Sequence, residues 1–135
     1  MGIFGALRNL GGGRQEESNL WNQPQSESDI DDILSRGDRP QVIYKHSYSC
    51  AVSLFAKSSL ESDLELAADK ADLYLIDVIA QRSLSNDIAD KTGVRHESPQ
   101  LLVIHEGNVF WSASHGSVRI DELLDTLSEL ENPGE

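Results

Sequence analysis

The chain has 135 residues, 11 Lys+Arg against 23 Asp+Glu for a formal net charge of −12, and 39% hydrophobic residues. That length fits one domain with an ordinary core rather than two domains or a disordered chain. The acidic balance argues against a protein whose work is gripping phosphate backbones or anionic lipid. The single cysteine, Cys50, cannot close a disulfide within the chain or build a Cys-based zinc cage alone.

Taken in chain order, residues 1–17 read as a flexible N-terminal tail before a domain over 18–132. The first thirteen residues are mildly apolar but are interrupted by Arg8, without the charged start and cleavage site of a signal peptide. Ala6 stands where a myristoylation motif needs Ser or Thr. A short amphipathic docking segment at Ile3, Phe4 and Leu7 is a minor reading of the same stretch. No run approaches the roughly 18 apolar residues of a spanning helix, so a cytoplasmic protein with no membrane partner is expected, a compartment that suits a free thiol.

Leu20-Trp21 reads as a short edge strand. Asp29 to Leu34 has apolar residues at i, i+3 and i+4 behind an acidic start and before Gly37, which predicts a short helix. Gln41 to Lys45 is β-branched and aromatic, a strand. His46 to Ser49 forms a polar loop opening onto Cys50. From there, apolar residues at 51, 52, 54, 55, 60, 64, 66 and 67 predict one long helix, with Ser47 or Ser49 as its N-cap. Leu73 to Val78 reads as a strand buried on both faces. Ser83 to Thr92 reads as a helix closed by Gly93. After Ser98-Pro99 come a central strand, Gln100 to His105, a turn at Glu106-Gly107-Asn108, and an antiparallel return over Val109 to Ala113. Phe110 and Trp111 then face opposite ways. Asp121 to Leu130 is an amphipathic helix, ended by Pro133-Gly134. Alternation followed by a hairpin gives an α/β fold: a mixed sheet of four to five strands with helices on both faces.

The chemistry centres on Cys50. A thiol at a helix start meets unsatisfied N–H groups and the positive end of the dipole, which lowers its pKa. Lys45 and His46, just upstream, are expected to add positive potential, and the nearest following carboxylate is Glu61. Ser47, Ser49 and Ser53 are the candidate hydrogen-bond donors to the sulfur. Pro99 at the head of a central strand has no ladder bond to give. It is explained by a cis Ser98–Pro99 bond in a tight turn, with neighbouring backbone groups left to bind a peptide or thiol ligand. His46 is read with equal weight as a solvated loop residue and as a thiolate partner. Asp77 is read chiefly as a loop cap, with a proton shuttle as the lesser reading. The four histidines, at 46, 96, 105 and 115, match no compact metal pattern, and His105 and His115 read as surface residues flanking the hairpin.

Strand, cysteine at a helix start, strand, helix, X-Pro, hairpin and final helix together resemble the thioredoxin superfamily. The segments Tyr44-Lys45-His46-Ser47 with Ser49-Cys50, Leu75 to Ile79, Ser83 to Ala89, Glu97 to Leu101, and Ala113-Ser114-His115 resemble more closely the monothiol bacilliredoxins. The resemblance implies a thioredoxin-like fold and a thiol–disulfide oxidoreductase. Its cysteine, at the position of Cys50, removes bacillithiol from protein mixed disulfides. It implies no bound cofactor, bacillithiol as co-substrate, S-bacillithiolated proteins as partners, and an external thiol or reductase to finish the cycle. The chain departs from the family's Thr-Cys-Pro-Ile in having Ser49-Cys50-Ala51-Val52, which leaves an N–H at residue 51. Two other readings stand beside this one. An iron–sulfur carrier is suggested by the likeness of Cys50 to Ser53 to the Cys-Gly-Phe-Ser of monothiol glutaredoxins. The other is a redox-inert interaction module.

Overall fold

The computed structural model describes residues 20–131; the readings for residues 1–17, the boundary at residue 18 and the Pro133-Gly134 end lie outside them. Within that range, α1 (Glu27–Ser35) is followed by β1 (Gln41–His46), α2 (Ala51–Ser62), α3 (Leu64–Ala68), β2 (Asp72–Asp77), α4 (Arg82–Thr92), β3 (Gln100–His105) and β4 (Asn108–Ser114). A 3-10 turn over His115–Ser117 leads into α5 (Ile120–Glu131). The strands form one sheet in the order β2-β1-β3-β4. The β1–β2 pair is parallel, whereas β1–β3 and β3–β4 are antiparallel. This is the expected mixed sheet, with four strands.

Alternation along β1 explains why both faces are covered. Val42 and Tyr44 face a layer holding Leu60, Leu64, Leu123 and Leu127, from α2, α3 and α5. Ile43 faces Ile30 and Ile33 of α1 and Leu84 and Ile88 of α4. Successive side chains on a strand point to opposite sides, so a strand buried along its whole length must be sandwiched. The hairpin closes through Glu106 and Gly107, at φ 51° and 84°, the pair of left-handed residues that a tight two-residue turn requires. Trp111 packs against the first layer and Val109 against the second, because a register shift leaves Phe110 as an extra, exposed residue of β4 between them.

Three elements differ from the sequence reading. The edge strand at Leu20-Trp21 is a single bridge one residue later: Asn22 donates to Leu73 O at 2.8 Å and accepts from Leu75 N–H at 2.9 Å. Trp21 is instead buried in the core, stacked on Tyr44 at 5.6 Å. The single long helix is two, broken at Asp63, whose backbone sits at φ −141°, ψ 37°. Apolar spacing runs on through the break because Leu60, Leu64 and Ala67 all serve the same layer, so periodicity alone does not mark it. The N-cap of α2 is Cys50 itself, not Ser47 or Ser49. Among the described residues no helix is long and apolar enough to cross a membrane.

Candidate active site

Strand register brings four segments to one end of the sheet. His46 pairs with Asp77, Lys45 with Gln100, and Gln100 with Ser114. The chain therefore leaves β1 toward Cys50, leaves β2 at Asp77–Ala80, enters β3 through Glu97–Pro99 and leaves β4 at Ser114–Ser117, all on that end. The 3-10 turn packs against α2, which closes the arrangement around the helix that Cys50 begins.

Cys50 has extended backbone, φ −118° and ψ 123°, and no side chain caps α2. The loop before it is held by the Cys50 N–H, which donates to Ser47 O at 3.2 Å. The partly exposed thiol is pulled below its ordinary pKa chiefly by the Ser53 N–H. Desolvation opposes it, and the Val52 N–H and then the Ser53 hydroxyl add smaller effects in the lowering sense. The first turn of α2 contains no acid to offset these donors. Ser53 Oγ is buried and has no hydrogen-bond partner in the resting state; ionisation of Cys50 supplies the acceptor it lacks. Replacing Ser53 with alanine is expected to raise the midpoint of Cys50 alkylation with pH and to slow alkylation at neutral pH severalfold. Retention of the N–H groups keeps the midpoint below that of a free thiol. A profile identical to that of the parent protein would remove the hydroxyl from this account.

The other candidates divide. Ser47 and Ser49 hydroxyls bond each other at 3.3 Å; of the three serines, Ser53 is the one that lowers the Cys50 thiol. Lys45 does not add potential at Cys50. It occupies the face of β1 opposite α2, and its Nζ donates to Ser85 O at 2.9 Å. His46 is fully buried, not a solvated loop residue. Its Nδ1 lies 2.8 Å from Tyr44 Oη, and its ring meets Tyr48 edge-on at 4.2 Å. Tyr44 Oη also donates to Ser53 O at 2.9 Å. A carbonyl can only accept, so the hydroxyl proton lies there and His46 Nδ1 carries the proton given to Tyr44. Burial first, and then the charge of Glu61, push the Tyr44 hydroxyl well above its ordinary pKa, which keeps it neutral. Asp77 caps a turn: its Oδ1 accepts from Ile79 N–H at 3.1 Å and Ala80 N–H at 3.0 Å.

The Ser98–Pro99 bond is cis. Pro99 is buried, and the Ser98 hydroxyl is buried without a hydrogen-bond partner. The Pro99 carbonyl accepts from the His115 N–H at 2.9 Å, which ties the turn to the end of β4. His115, read from sequence as a bystander of the hairpin, is thus part of the site's frame, and its Nε2 lies 2.9 Å from Glu97 Oε1. The signal for it was Ala113-Ser114-His115 at a strand end; the register that folds it onto Pro99 is a long-range property. Tyr48, Val52 and Ile79 are large apolar residues left exposed at this end, and Phe55, one turn along α2 from Val52, is 76% exposed. Among the described residues no three His, Cys, Asp or Glu side chains gather as metal ligands.

The model of the family described as monothiol bacilliredoxin BrxC matches residues 22–123. A solved structure described as a candidate oxidoreductase with a thioredoxin fold is 28% identical. The match covers 79% of this chain and 93% of that one, at a TM-score of 0.70. Thioredoxin from Malassezia sympodialis is 18% identical over 87% of this chain and 96% of its own, at a TM-score of 0.63. Mitochondrial thioredoxin 3 from Saccharomyces cerevisiae is 16% identical over 81% and 94%, at a TM-score of 0.62. The two thioredoxins show likeness of fold alone.

Proposed function

The chain belongs to the monothiol bacilliredoxin family, and from that premise we propose that Cys50 removes bacillithiol from protein mixed disulfides. Family and fold support a thiol oxidoreductase role. The observation that carries the finer reading is a partly exposed thiol lowered by the N–H groups of its own helix, inside a rim of exposed apolar side chains. A thiolate is the attacking species in disulfide exchange. An apolar rim fits a protein surface better than it fits a small polar thiol alone.

In the proposed cycle the Cys50 thiolate attacks the bacillithiol sulfur of the mixed disulfide. The new S–S bond joins Cys50 to bacillithiol, and the protein's thiolate leaves and takes a proton from solvent. With no second cysteine in the chain, a second molecule of low-molecular-weight thiol or a separate reductase attacks the Cys50 mixed disulfide. Cys50 is regenerated as the thiolate, and the bacillithiol leaves joined by a disulfide to whichever thiol attacked it. Ser53 serves the sulfur, and Ser98 with Pro99 forms the wall along which the substrate lies. Such a cycle belongs in the cytoplasm, where the resolving thiol is kept reduced.

The test is intact-mass analysis of an S-bacillithiolated protein mixed with this chain, alongside the same protein carrying glutathione. The expected result is transfer of bacillithiol to this chain at Cys50, with transfer of glutathione at least about tenfold slower. Absence of a Cys50 adduct, or no preference between the two thiols, contradicts the proposal.

A further inference from the structure

Lys45 is fully buried, yet among the described residues no carboxylate bonds its ammonium group. Its Nζ donates to Ser85 O of α4 at 2.9 Å and lies 3.4 Å from His96 Nδ1. Ser85 Oγ lies 3.0 Å from the same nitrogen. An ammonium has only protons to give, so His96 Nδ1 is the acceptor and the ring carries its proton on Nε2. Burial brings the Lys45 pKa down to about 8, and burial followed by the charge of Lys45 lowers that of His96. A buried cation without a counter-ion weakens a fold. A methionine of similar length would fill the same space without that penalty.

What this arrangement holds is the segment leading to Pro99. Gln100, directly across the ladder from Lys45, donates from Nε2 to Arg95 O at 2.9 Å. His96 follows Arg95 and is gripped from the core by Lys45 and Ser85. On the other side the His115 N–H holds Pro99 O at 2.9 Å. The segment is thus fixed from two directions just before it reaches the site.

We propose that Lys45, acting through His96, is a positioning residue for exchange at Cys50: the contact sets where Glu97–Pro99 lies over the end of the sheet, and so where an incoming disulfide is held. The inference rests on the exchange reaction proposed above. Lys45 sits on the opposite face from α2 and leaves the reactivity of the thiol itself unchanged.

The experiment compares the full chain with K45M, H96L and H96N, the last keeping an acceptor near the Nδ1 position. With a bacillithiol–peptide mixed disulfide as substrate, K45M and H96L raise KM about tenfold and change kcat less than twofold. H96N stays within twofold in both, and the pH profile of Cys50 alkylation is the same in all four. Amide exchange at His115 N–H, which needs no substrate, speeds up about tenfold in K45M and H96L and not in H96N. Unchanged KM and unchanged His115 exchange in folded K45M and H96L overturn the inference. So does a shifted alkylation profile, which would make Lys45 a direct modulator of the thiol. If K45M does not fold, the H96L and H96N pair decides by the same readings. A parent chain inactive on the substrate contradicts the exchange reaction, while the His115 readings still decide whether Lys45 sets the segment.

Discussion

Replacement of Cys50 by serine is expected to lower disulfide exchange by at least about 10³-fold, with the far-ultraviolet circular dichroism spectrum unchanged. Serine keeps the size and the extended backbone of the N-cap but is no nucleophile toward disulfide sulfur at neutral pH. The fold survives because Cys50 is partly exposed and caps α2 with no side-chain bond. The same substitution carries a stability signature. The thiol pKa is lowered in the folded state, so the fold binds the thiolate in preference to the thiol. That contribution is complete above the unfolded thiol's pKa and is lost as pH falls through the folded value. The parent chain should therefore gain stability over Cys50→Ser as pH rises from 6 to 9 in urea titrations under reducing conditions. A difference independent of pH would contradict stabilisation of the thiolate by the helix start.

The second large effect is expected at Tyr44. This ring is fully buried and stacked on Trp21 at 5.6 Å. Trp21 Nε1 donates to Glu61 Oε2 at 2.6 Å, and that oxygen also pairs with Lys57 Nζ at 2.9 Å. At its other end the hydroxyl ties Ser53 O of α2 to His46 Nδ1 of β1. Tyr44→Phe keeps the stacking and removes the hydroxyl, taking from His46 Nδ1 the acceptor it uses. A buried donor deprived of its acceptor costs about 1–3 kcal/mol, read as a lower urea midpoint with an unchanged slope. Tyr44→Ala also empties a ring-sized space and should cost about 3–5 kcal/mol. Loss of the hydroxyl frees the turn of α2 that presents Ser53 to the thiol, so the alkylation midpoint of Cys50 should rise in Tyr44→Phe. A variant with parental stability and an unshifted midpoint would show that the Tyr44–Ser53 contact does not link core to site.

Elements set by local pattern were legible in the sequence. The β-branched and aromatic run of β1, the continuous apolar run of β2, the left-handed closure of α4 at Gly93 and the hairpin at Glu106-Gly107 each follow from a few neighbouring residues. The position of Cys50 between a strand and a helix was legible for the same reason. What the pattern hides is polar residues that burial turns inward. Lys45 ends the strand read from sequence and His46 opens the polar loop, yet both are fully buried, because β1 has β2 on one side, β3 on the other and helices on both faces. Their neighbours in space, Ser85 and Tyr44, fix which way each points, and only register and layer packing bring those together. The break at Asp63 escaped for a related reason. It needs no Gly or Pro, only a backbone turn that keeps Leu60 and Leu64 on the same layer. His115 joined the site through its backbone N–H, a group that no side-chain pattern advertises.

The account turns on the Cys50 thiol ionising more readily than a free cysteine because of where its helix begins. Iodoacetamide alkylation of the reduced full chain across pH 5 to 10, with Cys50→Ser as blank, measures this directly. The account predicts a single transition with its midpoint below the roughly 8.5 of a free cysteine. A midpoint at or above that value would contradict it.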